Sequence, residues 1–147
     1  MARRKTEIRK ILVPIDGSET SFETTRYALS FAHEMKASVT LLHVSDIPPL
    51  PLHMAPLEKY YEEVREEAEK WFSNVKNLPE SKNVEIKTKV ITAALSIVGS
   101  IVEFAEDNDI DLIVIGTRGR SKFSKLLMGS VTSGVTAHAP CPVLVVR

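Results

Sequence analysis

Five short apolar runs, separated by longer stretches with helical spacing, constrain this chain more than any other feature. They are Ile11-Leu12-Val13-Pro14-Ile15, Val39 to Val44, Val84 to Ile91, Leu112 to Ile115 and Val143 to Val146. That alternation is the rhythm of successive βα units around a parallel sheet, and it predicts a single doubly wound α/β domain spanning residues 1–147. Four of the runs read as strands buried on both faces. In the third, Val84, Ile86, Thr88 and Val90 alternate with Glu85, Lys87 and Lys89, as in a strand with one wet face, which places it at a sheet edge. The last run is strongly apolar, so its edge is exposed unless another subunit covers it; pairing across a two-fold axis would do so.

Between the runs, Leu57, Tyr60, Tyr61, Val64, Ala68, Trp71, Val75 and Leu78 recur at three- and four-residue spacing, leaving Glu62, Glu63, Glu66, Glu67 and Lys70 for solvent. An earlier helix is expected from Ser18 or Thr20, with Thr20 and Glu23 as a capping box and Phe22, Ala28, Leu29 and Ala32 turned inward. The helix after the third strand would use Leu95, Val98, Ile101, Val102 and Ala105. The last, Ser130 to Ala139, is weak on propensity, since it holds Gly134 and several β-branched residues, so packing or a ligand must support it. The stretch 46–56 has four prolines in eleven residues and is the one long irregular connection, either a lid or a plain surface loop.

Composition narrows the function. Nineteen basic and nineteen acidic residues cancel, giving no field to draw a nucleic-acid backbone. The basic start, Arg3, Arg4, Lys5, Arg9 and Lys10, reads as a solvated terminus. No apolar run reaches the roughly 18 residues of a membrane span. The start lacks the apolar core of a secretory signal, so a soluble, cytoplasmic protein is expected. His33, His43, His53 and His138 show no metal-ligand spacing. Cys141, the single cysteine, reads as a buried, inert thiol between two prolines.

In a parallel open sheet, ligands bind beyond the carboxyl ends of the strands, here between the first and fourth. After the fourth strand come Gly116-Thr117-Arg118-Gly119-Arg120-Ser121-Lys122, then Gly129-Ser130-Val131-Thr132 at the head of the last helix. Gly116 and Gly119 are expected to turn the backbone with positive φ and offer N–H groups to an anion. Gly129 brings the chain close to a helix N-terminus that favours negative charge, and Ser130 and Thr132 add hydroxyl donors. Arg118, Arg120, Lys122 and Lys125 supply cations for a phosphate cradle. No Walker A triplet and no G-x-G-x-x-G after the first strand is present, so P-loop and dinucleotide readings fail.

With these residues in view, the chain resembles the universal stress proteins of the branch carrying G-x2-G-x9-G-[S/T], a pattern filled by Gly116, Gly119, Gly129 and Ser130. The likeness extends through Ile11 to Ser18, Leu41 to Val44 and Ala139 to Val146. It implies the adenine nucleotide alpha hydrolase-like fold, with five parallel strands in order 3-2-1-4-5 and helices on both faces. It also implies a homodimer through Val143 to Val146 and bound ATP, or AMP or ADP, with Mg2+ or Mn2+ held mainly by the phosphates. By position, Pro14, Ile15, Asp16, Val44 and Ile115 would border the adenosine. Gly116, Thr117, Arg118, Gly119, Arg120, Ser121 and Lys122, with Gly129, Ser130, Val131 and Thr132, would hold ribose and phosphates. Asp16 would touch ribose, base or a magnesium shell, or simply serve the helix turn. Two departures from the family pattern stand out: Gly134, where a stronger helix former is usual, and Thr92-Ala93-Ala94, which lacks the usual glycine and proline.

Three functions follow from this resemblance. The first is a nucleotide-responsive regulator acting on another protein. The second is a slow ATPase, for which the loop supplies no base to orient water. The third is a dimerisation module that binds no nucleotide.

Overall fold

In a computed structural model, residues 6–46, 56–117 and 128–147 are described. The expected stretches 47–55 and 118–127, and with them Arg118, Gly119, Arg120, Ser121 and Lys122, lie outside the described residues. The elements run β1 (Lys10–Pro14), α1 (Glu19–Met35), β2 (Ser38–Ser45), α2 (Leu57–Lys76), a 3-10 turn (Pro79–Ser81), β3 (Ile86–Thr92), α3 (Ile97–Asp107), β4 (Leu112–Gly116), α4 (Ser130–His138) and β5 (Val143–Val146). All four strand pairings are parallel, in the order β3-β2-β1-β4-β5.

Side chains alternate across the sheet, so each strand feeds two cores. On one face Ile11, Val13, Val39 and Leu41 pack with Ala28, Leu29 and Ala32 of α1 and Ala68, Phe72 and Val75 of α2. On the other, Leu12, Leu42, Val44, Ile113 and Ile115 pack with Ile101 and Ala105 of α3 and Val135 of α4. β3 sits at an edge as its alternation predicts. The expectation that β5 is buried on both faces fails: all four of its residues are half-buried. As the other edge strand, it has covering elements along one side only.

Three local expectations also change. The first helix is capped by Ser18, whose hydroxyl accepts from the Ser21 N–H at 3.2 Å, and not by a Thr20 and Glu23 box. Thr20 and Glu23 already lie inside the helix. Leu95 is 96% exposed, because Ser96 caps α3 and leaves Leu95 ahead of the helix. In α2 the fully buried residues are Ala68, Phe72 and Val75: the expected stripe supplies Ala68 and Val75, and Phe72 joins them, while Tyr60, Val64 and Trp71 are half-buried. Ala93, in the stretch lacking glycine and proline, is buried and extends the ladder through its N–H to the Ser45 carbonyl at 2.9 Å.

Gly134 is explained by packing. A Cβ placed there would lie 2.8 Å from Cγ2 of Val98, so the missing side chain lets α4 lie close against α3. This offsets the propensity cost, about 1 kcal/mol, of glycine inside a helix. Gly134→Ala is expected to destabilise by roughly 1 kcal/mol, overpacking of about 1–3 kcal/mol outweighing the propensity gain. In a Val98→Ala background the same change becomes neutral or stabilising. Urea unfolding of the four proteins checks this; equal effects of Gly134→Ala in both backgrounds would contradict it.

Candidate functional site

β1 and β4 are neighbours, but the helix after β1 packs on one face of the sheet and the helix after β4 on the other. The crevice between these departures is a cavity of about 450 Å³. Among its lining residues are Pro14, Ile15, Asp16, Val44, Ile115, Gly116, Gly129, Ser130, Val131 and Thr132. The fold therefore brings together ten of the positions singled out in the sequence. Thr117 is placed beside this group without lining the cavity.

The α4 end of the cavity is built by a few hydrogen bonds. Thr117 donates to the Val146 carbonyl at 3.0 Å and accepts from the Gly129 N–H at 2.7 Å, so the two ends of the stretch 118–127 are tied together. α4 then starts at Ser130. Its first internal bond is Ser133 N–H to Gly129 C=O at 2.9 Å, which leaves the N–H groups of Ser130, Val131 and Thr132 without an acceptor inside the helix. These donors, with the positive end of the helix dipole, meet the cavity.

Two sequence expectations are corrected here. The hydroxyl of Thr132 is not a donor to a ligand: it is buried and donates to the Gly116 carbonyl at 2.5 Å, bracing α4 against the end of β4. Gly116 is the last residue of β4, and the glycine with positive φ among the described residues is Gly17, at 80°. Gly116 takes an extended backbone because its carbonyl is held by Thr132 while the strand still pairs with Val146. Asp16 does serve the helix turn, since its Oδ1 accepts from the Ser18 N–H at 2.9 Å, yet it also lines the cavity.

The sequence reading missed the wall on the α2 side. Tyr60, Val64, Glu67 and Trp71, three or four residues apart, form one stripe of α2 along the cavity, joined by His43 and Ser45 of β2 and by Asp46. The helical period had identified three of the four, as core. Gly17 explains how Trp71 gets there: a Cβ at that position would lie 2.3 Å from the indole ring. The ring meets His43 edge to face, with centroids 4.9 Å apart and planes at 88°. His43 is held by its Nδ1, which donates to the Ile15 carbonyl at 2.9 Å.

Outside the cavity, Cys141 is half-buried and its thiol is pushed up by desolvation and by the charge of Asp111, which keeps it protonated and weakly nucleophilic at neutral pH. No helix among the described residues is long and apolar enough to cross a membrane.

The pattern of the Universal stress protein family matches residues 7–147. The chain belongs to this family. Among similar universal stress proteins, one from Methanocaldococcus jannaschii is 37% identical over 142 residues, covering 95% of this chain and 82% of its own. Another, from Bacillus subtilis, is 32% identical and covers 94% of this chain and 98% of its own. The solved structure of UspA from Lactobacillus plantarum superposes with a TM-score of 0.85 at 26% identity, over 97% of this chain and 100% of that one. Two further universal stress protein structures share the fold, with TM-scores of 0.66 and 0.63 at 21% and 22% identity. They are complexes with dAMP, for a protein from Archaeoglobus fulgidus, and with cAMP.

Because Gly17 combines a left-handed backbone with contact against Trp71, Gly17→Ala is expected to cost about 2–4 kcal/mol. It should also expose the tryptophan of this family member, shifting its fluorescence to the red. An unchanged melting temperature with an unshifted spectrum would contradict this account of the wall.

Proposed function

We propose that the cavity binds an adenine nucleotide, ATP or its relatives ADP and AMP, and that its occupancy regulates contact with another protein. The observation carrying this reading is that three helix N–H groups at the head of α4 open into the same cavity as an apolar slot made by Pro14, Val44 and Ile115. Its volume of about 450 Å³ lies inside the roughly 300–1,000 Å³ of small-ligand sites. The phosphates would lie on Gly116, Gly129, Ser130 and Val131, and the adenosine against Ile15, Val44 and Ile115, with Asp16 toward the ribose; Arg118 and Lys122, the cations that the sequence offers for the phosphates, lie outside the described residues. The dAMP and cAMP complexes of the same fold support the ligand class.

Among the described residues, no group of three or more His, Cys, Asp or Glu could hold a metal ion, so magnesium or manganese would be carried mainly by the phosphates. The described residues at the phosphate end include no carboxylate or imidazole to orient a water, which favours binding over turnover.

Thermal unfolding with ATP, AMP and GTP, each with magnesium, tests the reading on wild type and on Ser130→Glu. A carboxylate in the first turn of α4 favours the helix by about 0.3–1 kcal/mol but repels phosphate. The empty variant should be as stable as wild type or more so, while the wild-type gain of about 2.7 kcal/mol at ~100 times the dissociation constant is lost. No shift with any nucleotide, on protein freed of carried-over ligand, would overturn the reading; so would an undiminished shift in the variant.

We further propose that β5 pairs with β5 of a second copy. Its inward bonds run through the carbonyls of Pro142 and Val146, so the N–H groups of Val143 and Val145 point outward along a half-buried apolar edge. Val145→Pro removes one outward donor and leaves the ladder to β4 intact. Sedimentation should show a wild-type dimer that this variant weakens at least tenfold; a monomeric wild type would contradict the pairing.

A further inference from the structure

The lining of the cavity comes from both faces of the sheet, and the two sides, called its lobes below, are unlike. Because β2 alternates, Leu42 and Val44 face α3 and α4, while His43 and Ser45 face the opposite side, where Trp71 packs. Apart from Ile15, which packs on the α2 side, the nucleotide reading uses the first lobe, with its aliphatic walls of Val44, Ile97, Ile101 and Ile115 and its helix N-terminus. It leaves the second lobe without an occupant.

That second lobe has a different chemistry. Tyr60, Val64 and Trp71 are half-buried, so they form a ligand-facing surface in addition to the packed stripe of Ala68, Phe72 and Val75. Trp71 is fixed on one side by its fit over Gly17 and on another by the His43 ring, itself anchored on the Ile15 carbonyl. A wall held this way loses little freedom when something lies against it. The carboxylates of Asp46 and Glu67 stand in the same lining, whereas no described lysine or arginine does. Aromatic faces attract cations, carboxylates hold them, and apolar side chains select those with an apolar body.

We infer that the α2 lobe is a second subsite for a small organic ammonium, a protonated amine carried on an aromatic or aliphatic body. The ammonium lies toward Glu67 and Asp46 and the apolar body against Tyr60, Val64 and Trp71. The lobe stands beside the proposed nucleotide site, and its chemistry does not depend on a nucleotide being bound.

Trp71 is the sole tryptophan, so the fluorescence comes from the wall of this lobe. Phenethylammonium is titrated against the full chain at neutral pH, with neutral 2-phenylethanol as control, in the absence of AMP and at saturating AMP. Saturable quenching by the ammonium, at least tenfold weaker with the alcohol, is expected with and without AMP. Glu67→Gln, an exposed position that leaves the core intact, should weaken binding roughly threefold to tenfold. Tyr60→Leu should weaken it while leaving the Trp71 spectrum in place. Equal binding of ammonium and alcohol, or none of either, would overturn the subsite. Loss of the ammonium signal at saturating AMP would overturn it too, assigning the lobe to the nucleotide base. Ammonium binding in a protein whose melting temperature no nucleotide shifts would support the subsite while removing the nucleotide reading.

Discussion

Everything at the site depends on how β1 and β4 part company. Their register pairs Ile11 with Leu112 and Leu12 with Ile113 and then stops. Ile15 donates to β2, so in the alternation of the ladder the nitrogen of Pro14 faces β4, and a proline has no N–H to give. Freed from each other, one chain turns through Asp16 and Gly17 into α1 and the other leaves through Thr117, toward opposite faces. A parallel sheet with helices on both sides must open a crevice at such a point. Here the residues around it complete the opening, because Asp16 closes a tight turn at the head of α1 and Thr132 pins α4 to the last carbonyl of β4.

Two of the helices that meet the cavity, α4 and α2, are held by the absence of a side chain. Gly134 lets α4 settle onto α3 at Val98, and Gly17 lets Trp71 of α2 lie over the first turn. Each contact removes a Cβ to bring two elements closer than ordinary packing permits, and each aims a functional surface. α4 presents backbone donors and a positive dipole end; α2 presents aromatic faces and a carboxylate. Under the two proposals the cavity is polarised, with an anion on one side of the sheet edge and a cation on the other.

Much of this was legible in the sequence. Five apolar runs predicted the five strands, the alternation through Lys87 and Lys89 placed β3 at an edge, and Gly116, Gly129 and Ser130, singled out by their spacing, come together in one cavity. What was misread had physical causes. Leu95 suits the helical period, but Ser96 is a better cap and stops the helix short of it. The period of α2 could not separate a residue facing a core from one facing a cavity, since Tyr60 and Trp71 are apolar enough for either. Thr132 looked like a ligand donor because residue type does not reveal that its proton is already committed to Gly116. Gly17 carried no motif, and only the indole ring above it shows why a side chain there is excluded.

Amide chemical-shift mapping on the isotope-labelled chain, titrated with AMP, tests the central claim most directly. The account predicts the largest perturbations at Ser130, Val131 and Thr132 in the first turn of α4, with Gly116 and Val44 following and the far helix face around Tyr27 and Phe31 silent. Saturation without movement at the head of α4, or perturbations centred on that distant face, would contradict it.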